Sequence, residues 1–253
     1  MALTFGAATS DRVNHGTGNA NLSPFTLLLW IFPTTLNTND AIAHRGTFAA
    51  NNRRSFFQSD SSGNLQLSVD RSTTDTIYIT NDAPLVLNEW NFVAASFDSS
   101  AGAGEIANIY RGSLTALVTE RAYGTATDGS GTLADDSAAS FIVGNIANFT
   151  TAFKGRIAIA AYVLGAWSLA QIQAWQFRPR MVDGIKLLAV YGYAGTGTQP
   201  DWSGNANNGT VTGATVADHV PIPFRRSGPL YVPYTVAALG NTWPGYQSAS
   251  GWY

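Results

Sequence analysis

The feature that narrows the fold most is a strand-length run that is apolar on both of its alternating faces. From Phe25 to Phe32 the odd positions are Phe25, Leu27, Leu29 and Ile31, and the even positions Leu28, Trp30 and Phe32 are apolar too. Successive side chains of a β-strand point to opposite faces, so such a strand must be covered on both sides. Arg156–Leu164 has the same character, with Ile157, Ile159, Ala161 and Val163 opposed to Ala158, Ala160, Tyr162 and Leu164. So does Asn91–Phe97, where Phe92 and Ala94 oppose Val93, Ala95 and Phe97. A two-layer sandwich leaves the outside of each sheet wet unless something lies on it. A loop, a helix, the C-terminal segment or another subunit could provide that layer.

The rest of the chain reads as strand punctuated by turn residues. Ser55–Gln58, Leu65–Val69, Thr76–Thr80, Ile106–Tyr110, Phe141–Gly144 and Ile185–Tyr193 are rich in β-formers and are bounded by Gly, Asn, Asp, Ser and Thr clusters. In Leu65–Val69 the apolar residues alternate with Gln66 and Ser68, as in a strand with one wet face. One helix is expected. Ser168-Leu169-Ala170-Gln171 matches a capping box, Leu169, Ile172 and Trp175 fall on one helical face, and Pro179 follows a predicted end near Phe177. This helix is expected to pack at the edge of the sandwich.

Composition changes at residue 220. The last 34 residues hold five of the ten prolines, together with Phe224, Tyr231, Tyr234, Trp243, Tyr246, Trp252 and Tyr253. Proline excludes helix and most central-strand positions, yet the aromatic density exceeds that of disordered tails. The reading is one sandwich domain over 1–219 and an extended arm over 220–253. With 253 residues the chain can build a core without staples, so its lack of cysteine is no handicap and leaves the redox compartment open.

Several segments together resemble the laminin-G-like branch of the concanavalin A-like jelly rolls. Phe25–Pro33 is similar to their early core strand, and Asn88–Asp98, with Trp90 at its head, to their central strand. Phe141–Asn145 and Phe153–Ile157 resemble the "IG … F-x-G-x-I" pair, and Leu164–Ile172 the helix that follows. Asp201–Thr210 resembles the "D-x-S-G-N-x-N-x-G-T" turn, which commonly opens the domain and here closes it. The resemblance covers about residues 3–218. It implies an all-β fold: a two-sheet antiparallel jelly-roll sandwich with one short helix and an extended C-terminal arm. The closing-turn layout is also similar to structural proteins of tailed bacteriophages.

Charge and motifs exclude several functions. A net charge of −2 and a pI near 5.8 do not supply the basic stripe of a nucleic-acid binder. The longest apolar runs, such as Phe25–Pro33, are too short to span a bilayer, and no basic-then-apolar leader starts the sequence, so neither a membrane partner nor secretion is expected. Glycoside hydrolysis needs two facing carboxyl groups, and the three glutamates, Glu89, Glu105 and Glu120, lack partners at strand spacing, so no enzyme is expected. His15, His44 and His219 show no paired spacing, so no metal site or cofactor is assigned. The resemblance raises calcium, for which Asp128, Asp135 and Asp136 offer hard oxygens, but a solvated turn explains them equally well.

Two functions follow. The leading expectation is a non-enzymatic virion component, a capsid decoration or tail-associated protein. It would dock on its own copies or on a phage capsid or tail protein through Phe224, Tyr231, Tyr234, Trp243, Tyr246 and Trp252. The alternative is a lectin-like module for host or environmental glycans. Trp30 and Trp90 are expected in the core, while Trp202, Trp243 and Trp252 stand in loop or tail settings as candidate sugar platforms.

Overall fold

The alternation of apolar residues sorts the central strands into two packed layers. A computed structural model describes residues 1–6, 8–18, 21, 23–46, 53–101, 106–146 and 151–223. In chain order its first strands are β1 (Ala2–Phe5), β2 (Arg12–Asn14), β3 (Phe25–Pro33), β4 (Asp40–Gly46), β5 (Arg53–Ser59), β6 (Leu65–Val69), β7 (Thr76–Thr80) and β8 (Asn91–Phe97). Then come β9 (Ala107–Ser113), β10 (Thr119–Glu120), β11 (Tyr123–Thr127), β12 (Phe141–Val143) and β13 (Gly155–Leu164). Helix α1 (Leu169–Gln176) is followed by β14 (Ile185–Val190), β15 (Thr210–Thr212) and β16 (Thr215–Ala217).

Two antiparallel sheets result. One runs β10-β9-β8-β3-β13-β1-β16, with β14 also pairing β13; the other runs β11-β7-β6-β5-β4-β12-β2-β15. The odd residues of β3 enter the core between the sheets with Val93, Ala95 and Phe97 of β8. Facing them from the second sheet are Phe57, Leu65, Leu67, Val69 and Tyr78. The even residues Leu28 and Trp30, with Phe92 and Ala94, form a second apolar cluster on the outside of the first sheet. In β13 the parity differs from the expectation. Its pairing with β3 slips between Ile157 and Ile159, so Ile157 joins Ala160 and Tyr162 in the core while Ile159 turns outward. Strand Ile106–Tyr110 extends to Ser113, and the segment after Val190 is turn rather than strand.

The chain itself supplies the outer cover. Ser168 caps α1, its side chain accepting from the Gln171 amide while the Gln171 side chain reaches back, and Phe177 closes the C-terminus. The helix lies on the face of the sheet, not at its edge: Ile172 and Trp175 join Leu28, Trp30, Phe92 and Ala161 in the outer cluster. The Trp175 ring centroid is 6.1 Å from that of Phe92, and Trp30 Nε1 donates to the Gln176 carbonyl at 3.0 Å. Val220 and Ile222 pack on the same cluster, so no second subunit is needed to cover these strands. Each large side chain buried here contributes about 1.5–3 kcal/mol.

Gln176 locks the helix to the β9–β10 connection. Wholly buried, it accepts from the Val118 N–H at 2.7 Å and donates to the carbonyls of Ser113 and Ala116 at 2.8 and 2.9 Å. Position 112 must be glycine for this approach, because a Cβ there would lie 2.6 Å from Gln176 Nε2 and 2.9 Å from the Val118 backbone. At the other end of the sandwich, the closing turn is tied to β2 through buried His15. Its Nδ1 meets the Asn207 carbonyl at 2.8 Å and its Nε2 the Tyr191 hydroxyl at 2.9 Å. A neutral ring that donates from Nδ1 and accepts at Nε2 satisfies both.

Two outcomes follow. Burial lowers the His15 pKa from 6.5 to about 4, against the raising effects of the Asn207 carbonyl and the Asp201 charge. Between those values the unfolded chain binds the proton and the folded chain does not. The stabilisation from neutral His15 is therefore complete above about pH 6.5 and declines as pH falls toward 4, by roughly 3 kcal/mol in all. Urea titrations across that range should show a pH dependence that is flattened in His15→Gln. Replacing Gln176 by leucine strands the Val118 amide and removes one partner from each of the Ser113 and Ala116 carbonyls, the latter keeping the Ser113 N–H at 3.0 Å, and should cost about 2 kcal/mol or more in the same assay.

Candidate functional site

Beyond the N-terminal end of α1 the outside of the first sheet is left open, and there its side chains turn polar. The paired residues Ser96 and Asn108, and Tyr110 and Glu120, stand on this outer face of β8, β9 and β10. With Asp98, Ala101, Ala166, Trp167, Ser168 and Gln171 they line a groove of about 490 Å³. That volume lies in the range of small-molecule sites.

Trp167 is the aromatic wall. It precedes the N-cap of α1, and its backbone N–H donates at 2.9 Å to Thr26 Oγ1, which donates in turn to the Gly165 carbonyl at 2.7 Å. Thr26 is fully buried in β3, so the tryptophan is anchored to the rigid centre of the sheet while its side chain stays half-buried. Polar groups surround it. Asp98 Oδ1 accepts from the amide and hydroxyl of Ser100 at 2.9 and 2.7 Å. Glu120 Oε1 accepts from the Tyr123 hydroxyl at 3.0 Å and, with the Asn108 amide turned to satisfy its neighbours, from the Asn108 nitrogen at 3.0 Å. Ser96 Oγ and the Tyr110 hydroxyl are 3.4 Å apart. Burial, and secondarily the Glu120 charge, raises the Tyr110 pKa, so this phenol is a neutral hydrogen-bonding group. The groove thus offers one aromatic surface and a set of hydroxyl, amide and carboxylate partners.

The residues singled out from the sequence are placed elsewhere. Trp30 and Trp90 are core, at 0 and 8% exposure. Trp202 is half-buried against the outer cluster, with the exposed Tyr193 ring edge-on at 5.2 Å. Glu89 is exposed in a separate groove of about 400 Å³ beside Trp90 and Phe32. The three aspartates do not converge: Asp128 accepts from the Tyr78 hydroxyl, Asp135 from Asn21 and Ser137, and buried Asp136 is paired with Arg45 Nε at 2.7 Å. Among the described residues no three His, Cys, Asp or Glu side chains are grouped to hold a metal ion. No helix among them is long and apolar enough to cross a membrane. Trp243, Trp252 and the other arm residues, Phe224, Tyr231, Tyr234 and Tyr246, lie outside the described residues. Sequence reasoning passed over Trp167 and Tyr110, although a tryptophan directly before a capping box is a readable signal of an aromatic held at a helix entrance.

The family model of the Concanavalin A-like lectin/glucanases superfamily matches residues 7–173, a span that contains every residue lining the groove. No curated protein matches the chain. Among solved structures, a Bacteroides ovatus protein whose assignment as carbohydrate binding is itself provisional is similar over 88% of this chain, at 19% identity and a TM-score of 0.58. The chain spans only 61% of that protein's length. Domains LG4-5 of the mouse laminin alpha1 chain are similar at 14% identity and a TM-score of 0.47, covering 67% of this chain and 43% of theirs. The CBM40 of a Ruminococcus gnavus IT-sialidase, bound to alpha2,3 sialyllactose, is similar at 14% identity and a TM-score of 0.43, covering 61% and 83%. At these identities the likeness is one of fold.

Proposed function

The chain belongs to the Concanavalin A-like lectin/glucanases superfamily, and on that premise we propose that it is a carbohydrate-binding module whose ligand lies in the Trp167 groove. The observation that carries this reading is an anchored, half-exposed indole facing polar side chains that present both donors and acceptors. Sugars offer an apolar C–H face to stack on a ring and hydroxyls that both give and take hydrogen bonds, and this wall matches both. The provisional assignment of the Bacteroides ovatus protein points the same way.

Binding fits the groove better than hydrolysis. Glu120 is paired with Tyr110, while the Asp98 amide donates to Ile106, two strands away and displaced along them. Strand geometry then separates the two Cα atoms by roughly 16 Å, too far for both carboxyls to flank one glycosidic bond. The particle-docking reading draws no support from the described residues or from the similar proteins. The apolar face that invited a neighbour is covered by α1, Val220 and Ile222.

A glycan array followed by calorimetric titration of the best ligand tests the proposal. Trp167→Ala should weaken binding at least tenfold, because stacking on one aromatic ring is worth on the order of 1–3 kcal/mol. Its circular dichroism should match that of the parent. A folded parent that binds nothing on the array, or a Trp167→Ala variant that binds as the parent does, would refute it.

A further inference from the structure

Trp167 and Gln171 wall two grooves. The second, of about 380 Å³, lies along α1 and is lined by Trp167, Gln171, Ala174, Trp175, Arg180, Val182 and Asp183. The two cavities therefore meet at the entrance of the helix, with the indole and the Gln171 amide between them. Building on the carbohydrate-binding reading, we propose that the ligand is an uncharged oligosaccharide of at least three units that crosses Trp167 and Gln171 and occupies both grooves.

The wall shared by the two grooves argues for length. A single sugar fills one groove and touches one side of the ridge, whereas a chain passing over it meets polar groups on both sides. Gln171 is prepared for this position. Its Oε1 is committed to the Ser168 amide and hydroxyl at 2.9 and 3.1 Å, which fixes the side chain and leaves its NH₂ as a donor. In the second groove, Arg180 is steadied by donation from Nη1 to the Ala174 carbonyl at 3.1 Å. Preorganised donors of this kind lower the ordering cost of binding a flexible chain.

Charge argues for a neutral ligand. The two grooves together carry the carboxylates of Asp98, Glu120 and Asp183 against the single guanidinium of Arg180. The three carboxylates are spread along the two grooves, so a polyanionic chain lying in them passes one after another within the screening length of about 8 Å at physiological salt and meets net repulsion. Hydroxyl donors find carboxylate acceptors on both sides.

The test uses the full chain and hexasaccharides of four neutral types, based on glucose, xylose, mannose and N-acetylglucosamine, with oligogalacturonate and a heparin hexasaccharide as anionic probes. At least one neutral hexamer should bind, and its trimer should bind at least tenfold more tightly than its monosaccharide. Ala174 is exposed and lines only the second groove. Ala174→Trp should therefore bring the trimer down to the monosaccharide's affinity while leaving monosaccharide binding and the melting temperature unchanged. Equal affinities for monosaccharide and trimer, or an unaltered trimer affinity in Ala174→Trp, would overturn the two-groove proposal and leave the carbohydrate-binding reading standing. Tighter binding of an anionic hexamer than of any neutral one would do the same. No binding to any probe would overturn both.

Discussion

The structure depends on covering central strands that are apolar on both faces. Strands β3, β8 and β13 cannot serve as an ordinary sandwich sheet with one wet side, because Leu28, Trp30, Phe92 and Ile159 would then face solvent. The chain answers with its one helix among the described residues, laid on the face and fixed by a single buried glutamine that bonds to the β9–β10 connection. A short helix is marginal by itself, so its existence rests on that packing. Since eight residues cannot cover the whole sheet, the cover stops at Trp167, and the candidate site is the uncovered remainder. Fold and site are two results of one shortage of apolar cover.

How much of this could be read beforehand follows from where each signal resides. Elements whose evidence is local are legible: β3, β6, β7 and β8 stand where the apolar runs put them, and α1 starts at the capping box. Elements whose stability comes from distant partners are not. Strand β4 reads Asp-Ala-Ile-Ala-His-Arg-Gly, a poor strand by composition, yet it is buried throughout: it pairs with β5 and β12, Ile42 and Ala43 join the core, and Arg45 meets Asp136 from another part of the chain. Strands β1, β2, β15 and β16 are only three or four residues long and exist through pairing between the two ends of the domain. The bulge in β13 leaves no mark in an all-apolar stretch, since either parity looks equally well buried. The groove was hidden for the same reason: Ser96, Asn108, Tyr110 and Glu120 come together only when three strands and a helix entrance are assembled.

The covering layer also changes the weight of the two functional readings. An apolar sheet face with no intramolecular partner would have pointed to assembly. Here the same residues are consumed by α1 and by the start of the C-terminal segment, so they are no longer available to a neighbour. The exposed surface at the helix entrance is mixed instead, with half-buried Trp167 among exposed polar groups such as Glu120, Ser168 and Gln171. Protein interfaces deplete charge at their centres, and a groove with two carboxylates beside its aromatic wall suits a hydroxyl-rich ligand better.

A buried carboxylate beside the second sheet shows how the fold meets an electrostatic demand with its own side chains. Asp136 is 1% exposed, and a buried carboxylate needs a positive partner. Arg45 supplies it. Its Nε donates to Asp136 Oδ2 at 2.7 Å, Nη1 to the Gly18 carbonyl at 2.8 Å and Nη2 to the Thr17 carbonyl at 3.0 Å. A carboxylate and loop carbonyls are the oxygens a calcium ion would collect. The planar guanidinium gathers them with directed hydrogen bonds, and because its charge is permanent and covalently attached, it holds the loop without depending on the supply of an ion. Asp136, one of the three aspartates that offered hard oxygens in the sequence, is thus a structural acceptor, whereas Asp98, Glu120 and Asp183 line the grooves on either side of half-buried Trp167.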